Sequence, residues 1–299
     1  MSTPTTGSLP DQTPERILQR LDWHVVRRLD GLLQGHYRSL FHGHGLDFAE
    51  LREYQHGDDI RYIDWNVTAR LDAPYIRSYL EERDVLAWFL VDLSPSMDFS
   101  SKRQTTIDLV AVLARLLNRL GNRTAALLYD GRSVRAIPTG SGRAHVLRII
   151  NDLLRYPRTA RAPFTDLTPF FQTALAALKR RSLVFVISDF ISAPGWEQAL
   201  SRLNQRHEVL VIQLWDPSEA QLPELGLVVV EDAETGEQII VDTSDLALRH
   251  RFEEAARRRA AMLDAAFKHA GVDVLVLSTA EDLVGALVRF ATRRQYRRR

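Results

Sequence analysis

From residue 85 onward, short apolar runs alternate with amphipathic stretches. Five runs are nearly continuous: Val85–Val91, Thr124–Tyr129, Leu183–Ile187, Val209–Leu214 and Val272–Leu277. Runs this short and this apolar predict strands buried on both faces. Between most of them, apolar residues recur at helical spacing. Ile107, Val110, Ala114, Leu117 and Leu120 form one stripe, and Leu167, Phe170, Phe171, Ala174, Leu175 and Leu178 a second. Leu248, Phe252, Ala255, Leu263, Phe267 and Ala270 line a long helix before the last strand. Alternating strand and helix predicts an α/β fold, an open and mostly parallel sheet with helices on both faces. Leu227–Glu231 and Gln238–Asp242 flank Glu234-Thr235-Gly236-Glu237, which predicts a β-hairpin at the sheet edge.

The first 84 residues follow another pattern. Residues 1–13 are polar and Pro/Thr-rich and read as disordered. From Pro14 to Leu33 the spacing of Ile17, Leu21, Val25, Leu29 and Leu32 predicts a helix that Gly35 ends. Residues 34–84 are dominated by Gly, His and charged groups, and Ile60–Val67 and Tyr75–Leu80 predict short strands. The expected organisation is thus a disordered start (1–13), a helix with a small β-leaning subdomain (14–84), the α/β domain (85–292) and a basic tail (293–299).

Composition narrows the chemistry. None of the 299 residues is a cysteine, so disulfides, thiolate metal sites and a Cys nucleophile are excluded. The N-terminus lacks the apolar core of a signal peptide, and no apolar run approaches the ~20 residues of a membrane span. A cytoplasmic protein is expected. The net charge of +1 hides an asymmetry. Arg289, Arg293, Arg294, Arg297, Arg298 and Arg299 gather at one end, and the rest of the chain is mildly acidic.

In open α/β sheets, ligands gather at the carboxyl ends of strands. Four predicted strands end in aspartate: Asp92, Asp130, Asp189 and Asp216. Asp130 precedes Gly131 and reads as a hairpin turn. Asp216 precedes Pro217 and reads as a turn starter. Asp92 opens Asp92-Leu93-Ser94-Pro95-Ser96, which places three oxygen-bearing side chains at alternate positions of one tight loop. One carboxylate and two hydroxyls are a hard, oxygen-only donor set, suited to Mg²⁺ or Mn²⁺. The competing reading is a serine cap on the following helix. Asp189, at a second strand end, can add a carboxylate. Thr165 can add a hydroxyl or merely cap a helix, and Thr168 competes with it.

Asp-x-Ser-x-Ser after a first strand, a threonine in a later loop and a strand-end aspartate resemble the metal-ion-dependent adhesion site of von Willebrand factor A domains. That resemblance implies metal positions at Asp92, Ser94, Ser96, Thr165 and Asp189, a Rossmann-like fold, and a non-catalytic ion whose coordination a partner's Asp or Glu completes. A narrower resemblance covers most of the chain. Gly43-His44-Gly45-Leu46-Asp47-Phe48, Leu51-Arg52-Glu53-Tyr54, Gly57-Asp58-Asp59-Ile60-Arg61, Ile63-Asp64-Trp65, Ala69-Arg70, Glu81-Glu82-Arg83 and Lys179-Arg180-Arg181-Ser182-Leu183 are similar to the bacterial domain-of-unknown-function family numbered fifty-eight. That family couples such an N-terminal block to a von Willebrand A-like domain, and its genes often neighbour those of MoxR-type AAA+ ATPases. The resemblance implies an adaptor or assembly factor that works with such an ATPase or its client. Pro163-Phe164-Thr165 departs from the family's usual Gly-Gly-Thr turn.

Three further features complete the picture. Asp58, Asp59 and Asp64 offer a second acidic site, but the expected reading pairs them with Arg52, Arg61 and Arg70 in a structural network that ties this block to the core sheet. His36, His42, His44 and His56 have spacing too loose for a zinc site without cysteine support and read as loop histidines. The arginine tail offers nucleic-acid binding as an alternative function, although Tyr296 is its only aromatic and a solvated end is the expected state. A metal-dependent phosphoesterase is the other alternative. Asp92 at a strand end superficially resembles the aspartate nucleophile of haloacid-dehalogenase-like enzymes, a resemblance that implies a second aspartate two residues later as acid/base. Ser94 holds that place here, and a hydroxyl does not fill that role near neutral pH. A non-enzymatic protein-binding module is therefore expected.

Overall fold

A computed structural model describes residues 13–21, 50–55, 63, 65–71, 73–78, 86–158, 164–232 and 236–297. Its core is a six-stranded sheet. In chain order the elements of the N-terminal part are α1 (Pro14–Leu21), β1 (Glu50–Glu53), α2 (Trp65–Leu71) and β2 (Tyr75–Ser78). The α/β part begins with β3 (Leu86–Asp92), α3 (Lys102–Arg119), β4 (Arg123–Tyr129), β5 (Val134–Gly140), α4 (Gly142–Leu154) and α5 (Leu167–Ala177). It continues with β6 (Leu183–Ser188), α6 (Trp196–Arg206), β7 (Glu208–Trp215), β8 (Leu227–Glu231), β9 (Gln238–Asp242), α7 (Leu246–Ala270), β10 (Asp273–Ser278) and α8 (Leu283–Arg297). The sheet order is β10-β7-β6-β3-β4-β5, parallel except for the antiparallel β4–β5 pair.

The sheet buries both faces, as its apolar runs predicted. Phe89, Val91, Phe185, Ile187, Leu210 and Ile212 point into a core shared with α1, α3, α4 and α8. Leu90, Val184, Val186, Val209 and Val211 face the other way, toward α5, α6 and α7. Phe89 and Phe185, on adjacent strands, stack with ring centroids 5.4 Å apart. Each fully buried side chain of this size contributes about 1.5–3 kcal/mol.

Several expectations change. β5 lacks an apolar run because it is the exposed edge, where Pro138 is tolerated without an amide to donate. The β8–β9 hairpin forms its own two-stranded sheet instead of extending the main one. Trp65–Leu71 is a helix, so the strand predicted through Val67 does not extend there. Along α7 only Leu263, Phe267 and Ala270 are buried, all in its second half. Arg294 is not part of a solvated tail. It lies on α8, 4% exposed, with its guanidinium 2.6 Å from Glu208 and 2.8 Å from Asp273. β1 and β2 pair antiparallel in the predicted β-leaning region. The predicted helix beyond Leu21, the Gly57–Asp64 motif apart from Ile63, and His36, His42, His44 and His56 lie outside the described residues.

β3 is the first strand of the sheet and sits at its centre. The chain builds β4 and β5 on one side of it, then returns to place β6 on the other. The crevice between the carboxyl ends of β3 and β6 is therefore the point where strand order reverses. Asp92 and Asp189 stand at that crevice.

Candidate metal centre

The parallel register Val91↔Ile187 brings Asp92 alongside Ser188. The Ser188 hydroxyl donates to Asp92 Oδ2 at 2.6 Å, and the Ser94 amide donates to Oδ1 at 3.0 Å. Ser94 Oγ lies 3.2 Å from Ser96 Oγ, which donates to Asp189 Oδ1 at 3.3 Å. Asp92, Ser94, Ser96 and Asp189 thus form one hydrogen-bonded cluster, and each is 4% exposed or less. The helix-cap reading of the serines fails: Ser94 makes no side-chain capping bond, and the Ser96 hydroxyl is given to Asp189.

Thr165 is also buried, and its loop is bound to that of Asp189. The Ala193 amide donates to the Thr165 carbonyl at 2.8 Å, and the Leu167 amide to Ser192 Oγ at 3.1 Å. Thr165 is not the cap of α5. That role belongs to Asp166, which accepts from the Thr168 amide at 2.8 Å. Tyr129 fixes the same loop from β4, with its hydroxyl 2.7 Å from the Asp166 carbonyl. Asp130 closes the β4–β5 turn, accepting from the Arg132 and Ser133 amides at 2.9 and 2.7 Å. Asp216 starts a 3-10 turn (Pro217–Glu219), as its sequence suggested.

Backbone strain concentrates here. Among the described residues, the non-glycine positions with positive φ are Ser100 (54°), Phe164 (28°) and Phe190 (57°). One lies in the loop after Asp92, one precedes Thr165 and one follows Asp189. Left-handed backbone costs an L-residue on the order of 1–3 kcal/mol and persists where packing over-determines it. Phe190 shows how. Its ring is buried 4.9 Å from Trp196 and 4.8 Å from Phe267, so the aromatic cluster holds the turn that presents Asp189.

Three participants escaped the sequence reading: Ser188, Lys102 and Glu219. Lys102 is wholly buried, and its ammonium lies 2.7 Å from Asp189 Oδ2 and also bonds Glu219 Oε1. Burial would lower its pKa, yet the charges of Asp189 and Glu219 outweigh that and hold it above the ordinary value. Glu219 is fixed by a capping box in which its Oε2 accepts from the Asp216 amide at 3.0 Å. Two local signals pointed this way. Lys102 opens α3, where the helix dipole disfavours a cation, and Asp216-Pro217-Ser218-Glu219 has capping-box spacing.

The donor set fits a hard divalent cation. The hydrogen-bonded cluster offers the carboxylates of Asp92 and Asp189 and the hydroxyls of Ser94 and Ser96. Every carboxylate oxygen except Asp189 Oδ1, which already accepts from Ser96 and the Ile191 amide, keeps lone-pair capacity beyond its present partners. Among the described residues no three His, Cys, Asp or Glu cluster in the manner of a carboxylate-rich or imidazole site, so the hydroxyls are essential to the fit. Charge gives a second test. Burial, and then the neighbouring charge of Asp189, push the Asp92 carboxyl up to about 7 from 3.8, against the hydrogen bonds of Ser188 and Ser94. A cation bound there would act against that shift and favour the ionised carboxylate.

Comparison with family models bears out the resemblance to family fifty-eight. The family model described as "Protein of unknown function DUF58" matches residues 50–262. Uncharacterised proteins of Mycobacterium tuberculosis (Rv1480) and Mycobacterium bovis (Mb1516) are each 33% identical over 294 residues, covering 97% of this chain and 92% of theirs. Among solved structures, the conserved hypothetical protein BatB of Bacteroides thetaiotaomicron aligns with a TM-score of 0.46 at 14% identity, covering 71% of this chain and 99% of that one. The SpRpn10 VWA domain aligns with a TM-score of 0.38 at 15% identity, covering 69% and 94%. This chain belongs to the family described as protein of unknown function DUF58.

Proposed function

We propose that this protein is a non-enzymatic binding module that grips an acidic side chain of a protein partner through a divalent cation, Mg²⁺ or Mn²⁺, held by Asp92, Ser94, Ser96, Thr165 and Asp189. One observation carries the reading: the buried carboxylates of Asp92 and Asp189 and the hydroxyls of Ser94 and Ser96 form one hydrogen-bonded cluster at the topological switch point. An ion held largely by hydroxyls retains much of its charge and attracts a carboxylate from outside. The surroundings suit a protein surface. Phe164, beside Thr165, is 76% exposed, and Phe99, beyond Ser96, is 41% exposed. Aromatic residues, phenylalanine included, are enriched at protein interfaces relative to the rest of the surface.

The family resemblance points to a MoxR-type AAA+ ATPase or its client as the partner. The test is capture of such an ATPase by the purified protein in Mg²⁺ and in chelator, with wild type and Asp92→Ala in parallel. Capture is expected from wild type in Mg²⁺ only. Equal capture in chelator, or by a folded Asp92→Ala protein, would contradict the reading. Phosphoesterase chemistry receives less support. Ser94 stands where the resemblance to haloacid-dehalogenase-like enzymes implies an acid/base aspartate, and the Lys102 ammonium is engaged by two carboxylates and sealed from solvent.

A further inference from the structure

We infer that Lys102 is a resident cation of this site, sharing Asp189 with the divalent ion and held there by Glu219, so that ion binding and lysine engagement oppose each other. The inference rests on the cation reading above and adds a built-in competitor to it.

Lys102 has three reasons to be elsewhere. It begins a helix, where the backbone dipole repels positive charge. Its ammonium is stripped of water, which is costly for a compact charge. The long side chain also gives up its rotamer freedom. What holds it is a pair of carboxylates from two other strand ends. Asp189 lies 2.7 Å from Nζ, and Glu219 closes the opposite side. Glu219 is not a chance surface contact, because Asp216 fixes it through the capping box, and Asp216 Oδ2 itself accepts from the Thr279 hydroxyl at 2.6 Å. A continuous relay therefore runs from Thr279 after β10, through Asp216 and Glu219 after β7, to Lys102 and Asp189 after β6.

Asp189 is divided by this relay. Oδ1 faces Ser96 and the Ile191 amide, and Oδ2 faces Lys102. An ion that draws on Asp189 must share one carboxylate with an ammonium in direct contact with it. A like charge at that range lowers cation affinity by roughly tenfold or more at the effective dielectric of a protein site. The site is thereby tuned toward weak, releasable binding, and an arriving partner carboxylate supplies the charge that tips the balance toward the ion.

The test is Mn²⁺ binding by titration calorimetry and by loss of the free-ion paramagnetic resonance signal, on wild type, Lys102→Met and Asp92→Ala. Lys102→Met is expected to bind Mn²⁺ at least tenfold more tightly than wild type, and Asp92→Ala to bind none. Equal or weaker binding by Lys102→Met, with Asp92-dependent binding in wild type intact, overturns the inference and leaves the cation reading standing. Absence of Asp92-dependent binding in both wild type and Lys102→Met overturns both. If Lys102→Met melts below the assay temperature in chelator, melts in graded Mn²⁺ measure the same competition. Rescue at ion concentrations that leave the wild-type Tm unmoved supports the inference, and failure to rescue overturns it.

Discussion

Asp92 carries the sharpest consequence at the scale of single residues. Its unfolded carboxyl loses a proton near 3.8 and its folded carboxyl near 7, so between those values the folded state of the ion-free protein holds the extra proton. Stability from this group is fully present below about pH 4 and is lost as pH rises through about 7. Asp92→Asn removes the buried charge. In chelator at pH 8 it is expected to stabilise the protein by up to about 4 kcal/mol, a gain that fades toward pH 4. Urea denaturation at both pH values checks this, and an equal effect at the two would show that the carboxyl is not held neutral. The loop serines were legible in sequence because their spacing is local. Lys102 and Glu219 were not, because their contacts span 87 and 117 residues, and no periodicity encodes a side-chain meeting at that separation.

Elements show the same division between local and distant signals. The parallel strands announced themselves because both of their faces are buried and nearly every position is apolar. β5 did not, because an exposed edge strand needs no such run. The first turns of α8 pack through Val284, Ala286 and Leu287, while Arg294 anchors its far end to Glu208 at the start of β7 and Asp273 at the start of β10. Arg294→Ala leaves those carboxylates without their shared cation and is expected to cost about 2–3 kcal/mol, read from the urea midpoint. An unchanged midpoint would show that α8 is held by its apolar face alone. The β8–β9 hairpin presents Leu227, Val229 and Ile240 to solvent, with Val229 opposite Ile240 on one face. Exposed apolar strands promote association. Ile240→Lys is expected to change stability by less than about 0.5 kcal/mol while reducing self-association in light scattering at high concentration. Unchanged scattering would show that this face does not drive contact between copies.

For the whole molecule, the sheet order decides where the proposed site lies. Placing β3 between β4 and β6 puts two strand-end aspartates at one crevice, and the loops around them carry the positive-φ residues Ser100, Phe164 and Phe190. Fold class was readable from alternating apolar runs, and membership of the family was readable from its motifs. The lysine at the centre of the site required the folded chain. Diffraction from crystals soaked in Mn²⁺ tests the cation claim most directly, through the anomalous signal of the ion. A single peak is expected at about 2.2 Å from the Ser94 and Ser96 hydroxyls, with Asp92, Thr165 and Asp189 around it directly or through water, and none in Asp92→Ala crystals. An empty crevice at saturating Mn²⁺, with the Lys102 ammonium unmoved on Asp189, would contradict it.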